Sequence, residues 1–559
     1  MDPTSKRARP PPEVSNARRL LILSLRYAIS PKEYAVLRRR VLLKGPESLR
    51  AATPSKTQFD AVCYEPGRDD YLPAASRAGL RVFLLSNIIL ASWDVVAGRL
   101  ARRRRQGSSG GNDWAKKAIE TTTRTTLFKS PNFLFSLSLS TLVIAHRLLY
   151  KFFFRLRENL LLPQARTFRL RHPKVAKLFL SRFSPSIGSA LAGLALLIHP
   201  PGDRRVTVSA WTFVKASEFC YNRLEDEGWF QNKPWWFGSW MLFPITSGQL
   251  LYSFVFDRDC FPSEYGSFIM GYSKEYVQTR PVGYPEHLQW PGTYDIVDSI
   301  GKIAGLNYPP FNSAILYPDA NPLPKSLQLI SPIVSPAHPT ITSLQCALLH
   351  PQDPSCLKTY LAFWASEFTS VAKFLSVVYA ISWLPRYKVF LRNPAGALGK
   401  LSKSTLLTTT FITGSIGTSW GMTCLFQKLL PRHFLPKGRY WLGGFVGGLW
   451  ALVDSRGGRG NFLYSYRVGL ISAWKVLVKK GYVKGLKNGD VYLFILSLAI
   501  INSLFDTGEH AISGSFSRKV LSSVRGRGLK DPVKEAEKAL DKGKGKEVET
   551  GEVVTVGEK

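Results

Sequence analysis

The stretch FSPSIGSALAGLALLIHPPG, Phe183 to Gly202, runs 20 residues without a charge, and its reading decides the fold. A bilayer core about 30 Å thick takes roughly 20 mainly apolar residues as one helical crossing. Pro234–Phe256, with 23 residues, and Ser404–Gln427, with 24, are two further uncharged runs of that length. Shorter apolar blocks bounded by charge accompany them at Val82–Trp93, Pro131–Ala145, Phe374–Leu384, Trp441–Val453 and Val491–Phe505. Several are rich in Gly, Ser and Thr, which membrane helices tolerate. So many separate runs, set among 75 Lys and Arg, favour an all-α polytopic membrane helix bundle over the buried helices of a large soluble protein. Ser326–Gln352 is uncharged too, but Pro332, Pro336, Pro339 and Pro351 would interrupt a helix, so it reads as a loop.

The heart of the opening stretch recurs. Ile187–Ile198 (IGSALAGLALLI) aligns without gaps on Leu442–Val453 (LGGFVGGLWALV), pairing Gly188 with Gly443, Gly193 with Gly448 and Leu197 with Leu452. The register continues through Gly202 opposite Gly457 and Arg204 opposite Arg459, and Gly238–Phe254 then falls on Gly489–Phe505. Ordered matches of this kind mark an internal duplication. Each half reads as four to five helical segments. The first holds Gly79–Trp93, Pro131–Ala145, Pro185–His199, Val206–Leu224 and Trp235–Phe256; the second holds Leu361–Leu384, Thr405–Phe426, Trp441–Val453, Asn461–Leu477 and Val491–Phe505. The expected organisation is a basic N-terminal region (1–78), a first membrane repeat (79–256), a Pro- and Tyr-rich connector (257–354), a second repeat (355–506) and a charged, disordered tail (507–559).

Composition narrows the function classes. With 559 residues, 45% of them apolar and 12% aromatic, the chain has ample material to bury, which excludes global disorder. Six Cys are too sparse for a disulfide scaffold. The net charge of +36 suggests nucleic acid, yet the clusters flank apolar blocks: Arg38–Arg40, Arg102–Arg105, and the Arg155–Arg182 connection ahead of Phe183. Basic loops held at an anionic lipid surface explain that placement better, so membrane lipids are the expected partner and nucleic acid is not. The first apolar run, Leu20–Leu25, is too short for a secretory signal, and no Asn-x-Ser/Thr sequon occurs. An internal organelle membrane is the expected location.

The candidate residues fall into three groups. Gly443, Gly444, Gly447 and Gly448 form overlapping small-xxx-small pairs, with Gly188 and Gly193 in the first half, and read as close-packing positions for a neighbouring helix. Charges inside apolar segments are costly unless paired or facing water. Lys215 and Glu218, three apart on one helix face, and Glu367 and Lys373 are therefore candidate intramembrane polar residues. The third group is Cys346, His350, Pro351, Asp353, Ser355 and Cys356. Its spacing matches no standard zinc module, and no nucleophile motif accompanies the His–Asp pair. It reads as a rigid helix entry, with no metal, cofactor or catalytic residue expected. Cys63, Cys220, Cys260 and Cys424 read as packing thiols.

These residues resemble the family of transmembrane protein 135, which is related to the peroxisomal membrane protein 4 and mitochondrial inner-membrane preprotein translocase superfamily. The likeness rests on His350-Pro-x-x-x-Ser-Cys356 followed by an apolar segment with Glu367, the Gly-rich Trp441–Val453 segment, Ser455-Arg456-Gly-Gly-Arg459, and Lys487–Phe494. In the first half it rests on Ile187–Leu197, Lys215-Ala-Ser-Glu218 and Pro262–Phe268. The resemblance implies a multi-pass protein of peroxisomal or mitochondrial membranes, engaged in lipid and organelle homeostasis and without a catalytic residue. The expected function is non-enzymatic participation in lipid or solute transport, with self-association or organelle membrane proteins as possible partners. A scaffold or tether recruiting soluble partners through basic loops is the alternative, and a membrane-embedded enzyme comes third.

Overall fold

The computed structural model describes residues 15–65, 69–106, 130–230, 232–317, 323–535 and 537–538. Among them every regular element is a helix. In chain order the elements used below are α1 (Asn16–Ala28), α2 (Tyr71–Gln106), α3 (Pro131–Leu161), α4 (Ser184–Ala190, tightened into a 3-10 helix over Leu191–Ile198) and α5 (Asp203–Asp226). They continue with α6 (Leu242–Phe256), α7 (Ser263–Gly271), α8 (Thr293–Gly305), α9 (Leu344–Leu349), α10 (Cys356–Trp383) and α11 (Pro394–Leu429). The last are α12 (Gly438–Gly448, with a 3-10 turn over Leu449–Leu452), α13 (Arg459–Lys479), α14 (Gly489–Thr507) and α15 (Ser515–Val524).

Among the described residues, four helices are long and apolar enough to cross a membrane: Tyr71–Arg99, Pro131–Leu161, Cys356–Trp383 and Gly489–Thr507. A fifth is added if Pro173–Leu180 and Ser184–Ile198, bent by 88°, count as one span. The set fits a membrane protein, and α2 shows the reason most clearly. Leu84, Leu85, Ile88, Ile89 and Trp93 stand exposed on it, where only lipid would shield them. The three long uncharged runs behave differently from the expectation. Pro234–Phe256 yields only the 15-residue α6, about 22 Å long and short of a bilayer core. Ser404–Gln427 lies within the 36-residue α11, whose Thr, Ser and Gly content keeps its hydropathy low. Phe183–Gly202 holds α4, the second arm of that bent pair.

The chain forms two compact units: residues 1–231 with 487–559, and residues 232–486. In the first, α2 packs on α3, and α14 packs on α4 and α5. Its N-terminal helices enclose a small core of Ile22, Tyr34, Phe59 and Val62, with Tyr34 and Phe59 stacked at 4.0 Å. Capping boxes at Ser30/Glu33 and Ser55/Gln58 start two of those short helices. Residues 507–535 differ from the expected disordered tail. Helix α15 docks on α3, and Arg518 pairs with the buried Asp531 at 2.7 Å, while 539–559 lie outside the described residues.

In the second unit α6 packs on α12 and α13, and α11 packs on α10 and α12. The connector supplies much of its largest core. Helix α8 has its Ile296, Val297, Ile300, Ile303 and Ala304 fully buried against Leu327, Ile330, Ala347 and Leu348. The prolines of Ser326–Gln352 limit it to short helices rather than denying it structure. Pro332, for example, occupies the first turn of Ser331–Val334, where its missing N–H costs nothing.

Candidate functional site: an apolar cavity and a thiol–imidazole cluster

Four glycines give the second unit its close packing. Gly444 and Gly448 face α6: a Cβ on Gly444 would lie 2.6 Å from the Ser247 carbonyl oxygen, and one on Gly448 would strike the Pro244 backbone. Gly443 and Gly447 face α11, where a Cβ on Gly447 would lie 2.7 Å from the Ser415 carbonyl oxygen. Two pairs at spacing four thus seat α12 between two backbones. In the first unit Gly188 abuts Phe153 on α3, and Gly193 abuts Phe494 and Ile495 on α14.

Beside this packing, α6, α7, α10, α11 and α13 enclose a cavity of about 310 Å³. Its walls are chiefly apolar, with Phe243, Leu250, Phe254, Leu375, Phe411 and Ile416. One polar strip interrupts them. The Thr408 hydroxyl donates to the buried Asp454 carboxylate at 2.9 Å, so Tyr379, 2.8 Å from Thr408 Oγ1, must donate its own proton to that oxygen. The Tyr379 oxygen remains an acceptor at the cavity. Ser415, which also lines it, has a buried hydroxyl with no hydrogen-bond partner. A chiefly apolar volume that carries an acceptor at Tyr379 and an unpartnered hydroxyl at Ser415 suits a single-chain amphiphile.

The four charged residues read as intramembrane candidates fall in different places. Lys215 and Glu218 form an ion pair of 2.7 Å on α5, and Ser513 donates to the other Glu218 oxygen at 2.9 Å. They belong to the first unit and line no part of the cavity. Glu367 on α10 is buried and receives the Lys274 backbone amide, whereas Lys373 is exposed.

The His350–Cys356 segment folds as a helix entry and does more besides. The Ser355 hydroxyl accepts from the Lys358 amide and caps α10, and the Pro351 carbonyl accepts from the His338 amide at 2.8 Å. Asp353 turns its carbonyl back onto His350 Nδ1 at 2.7 Å. A carbonyl only accepts, so Nδ1 carries a proton and Nε2 points away from the loop. It points to Cys424 Sγ, 3.6 Å away on α11, while Cys346 Sγ lies 3.9 Å from Cys356 Sγ. The four ligand atoms all lie within 4.8 Å of one another. Burial by itself lowers the His350 pKa; the thiols of Cys346 and Cys356 and the Asp353 carbonyl outweigh it and raise it to about 10.

Cys424 is the member that sequence reading set aside as a packing thiol. It stands 74 residues from His350, and no spacing rule joins the two. Only the antiparallel packing of α10 and α11 brings it in. Cys63, Cys220 and Cys260 take no part in the cluster. Compared with known proteins, the chain matches no family model, and no solved structure matches it significantly.

Proposed function

We propose that the chain is a non-enzymatic, integral organelle-membrane protein that takes part in lipid transport through the cavity of residues 232–486. The observation that carries this reading is the cavity's make-up: an apolar volume of about 310 Å³ with the Tyr379 acceptor and the unpartnered Ser415 hydroxyl inside it. The occupant it suits is a fatty acid or a lysolipid, with its chain on Phe243, Leu250 and Phe411 and its head at Tyr379 and Ser415. The peroxisomal or mitochondrial location rests on the resemblance to the transmembrane protein 135 family.

The duplication belongs to the same proposal. Its support is that the aligned segments Ile187–Ile198 and Leu442–Val453 both tighten from α-helix to 3-10 helix, from Leu191 and Leu449 respectively. Each is followed by a long helix and then by a final one, α6 or α14, that belongs to the compact unit formed mainly by the other half. Such an exchange is the outcome expected when two copies of one bundle trade their last element. The alternative, a scaffold for soluble partners, is favoured by the exposed apolar residues of the connector, among them Val282, Ile315, Leu316 and Tyr317.

The test begins with density-gradient separation of peroxisomes from mitochondria and alkaline carbonate extraction of each, where retention in a pellet is expected. The protein from that pellet, reconstituted into liposomes, should speed transfer of a fluorescent fatty acid. Ser415→Trp, which fills the cavity, should reduce the rate to that of empty liposomes. Equal rates for both proteins would remove the transport reading in favour of the scaffold.

A further inference from the structure

We propose that Cys346, His350, Cys356 and Cys424 bind one structural zinc ion, and that this ion clips the connector to α10 and α11. The ligand set comes from four places: Cys346 on α9, His350 at the end of α9, Cys356 at the first position of α10 and Cys424 near the end of α11. Thiolates with an imidazole select zinc over the hard cations, which prefer oxygen.

The spacing supports a tetrahedral ion. Bonds of about 2.3 Å to sulfur and about 2.0–2.1 Å to nitrogen place two sulfurs about 3.8 Å apart, and a sulfur and a nitrogen about 3.5–3.6 Å apart. The observed separations are 3.9 Å for Cys346 to Cys356 and 3.6 Å for Cys424 to His350. The first of these is nearly twice a disulfide bond of about 2.05 Å, and all six Cys are free. The surroundings fit as well. Asp353 fixes the His350 ring through Nδ1, the outer partner that a ligating imidazole needs to present Nε2. Cys346, His350 and Cys424 are buried, so a bound ion would be held largely out of bulk water. A separate cavity of about 320 Å³, lined by Cys346, Cys356, Thr340 and Arg432, gives the ion a way in. With all four positions supplied by protein, the ion has no open site for chemistry, and its role is to hold the connector core in place.

Zinc analysis and cobalt substitution of the full chain in detergent test this. The unmutated chain, purified without chelator, should carry about one zinc per chain, and exchanged Co(II) should show thiolate charge-transfer absorption with the strong visible bands of a tetrahedral site. Cys424→Ser and His350→Asn should each lower zinc content by about tenfold or more. The triple substitution Cys63→Ser, Cys220→Ser, Cys260→Ser should leave it unchanged. Cobalt exchange into the unmutated chain remains decisive if Cys424→Ser fails to fold. A chain without zinc or a cobalt spectrum, a Cys346–Cys356 disulfide in peptide maps, or a cobalt spectrum that survives Cys424→Ser would each overturn the site.

Discussion

In residues 1–231 with 487–559, helix α14 lies against α4 and α5; in residues 232–486, helix α6 lies against α12 and α13. The two arrangements are alike, but their interiors are not. In the first unit the space beside α14 is filled by a polar network. Asn502 donates to the Ser186 carbonyl at 3.3 Å and to Ser189 Oγ at 3.2 Å, and its Oδ1 faces His146 Nε2 at 3.2 Å. Arg525, from the segment after α15, pairs with Asp506, donates to the Asn502 carbonyl at 2.7 Å and lies over the Phe505 and Tyr150 rings. Burial pulls that guanidinium down to about 10. In the second unit the space beside α6 is an apolar cavity with one polar strip. Dense polar groups, paired except at His146 Nδ1 and Arg525 Nε, fill one interior, whereas the other keeps room for a guest. Under the proposed function, the second unit is the one that would hold the guest.

The sharpest way to break this contrast is Arg525→Ala. It leaves the Asp506 carboxylate without its buried partner, and the expected loss is roughly 3 kcal/mol of stability, read as a lower midpoint of unfolding in detergent. A change within about 0.5 kcal/mol would mean that the network is solvated and not closed. Gly448→Leu tests the second unit's packing. The side chain must displace α6 at Pro244, so an intermediate loss of about 1–3 kcal/mol is expected, with loss of fatty-acid transfer. Gly399→Ala is its control. Nothing lies within 4 Å of a Cβ there, and the midpoint should rise slightly, by the roughly 0.5–1 kcal/mol that Ala gains over Gly inside a helix. A fall at position 399 would show that the glycine contacts are not what sets stability.

Much of the helical frame was legible because apolar runs bounded by charge carry their own signal. Each of the ten segments read from the sequence overlaps a helix, though Trp235–Phe256 is helical only from Ser239, and Gly79–Trp93 extends to Tyr71–Gln106 because the flanking Ala, Arg and Leu continue a helix once it has begun. The connector was harder. The apolar spacing at Ile296, Ile300 and Ile303 was present, but the Pro and Tyr residues on both sides drew attention to loops, and its burial depends on partners far along the chain. The tail shows the same limit, because its net charge says nothing of Asp531 finding Arg518. Of the candidate sites, the glycines were readable from spacing alone. The cavity was not, because its lining comes from five helices. Cys424 illustrates the limit most plainly, since a lone thiol in an apolar helix becomes a candidate ligand only when α9, its C-terminal end and the start of α10 deliver three more.

The most direct measurement of the central claim is photolabelling of the reconstituted full chain with a trace of photoactivatable fatty acid, followed by peptide mapping. The account predicts adducts concentrated on the cavity residues of α6, α10 and α11, around Leu250, Tyr379 and Ser415, and abolished by Ser415→Trp. Labelling of the first unit should stay on the exposed face of α2 near Leu85 and Ile88. Cavity adducts no denser than those on α2, or adducts that persist in Ser415→Trp, would contradict it.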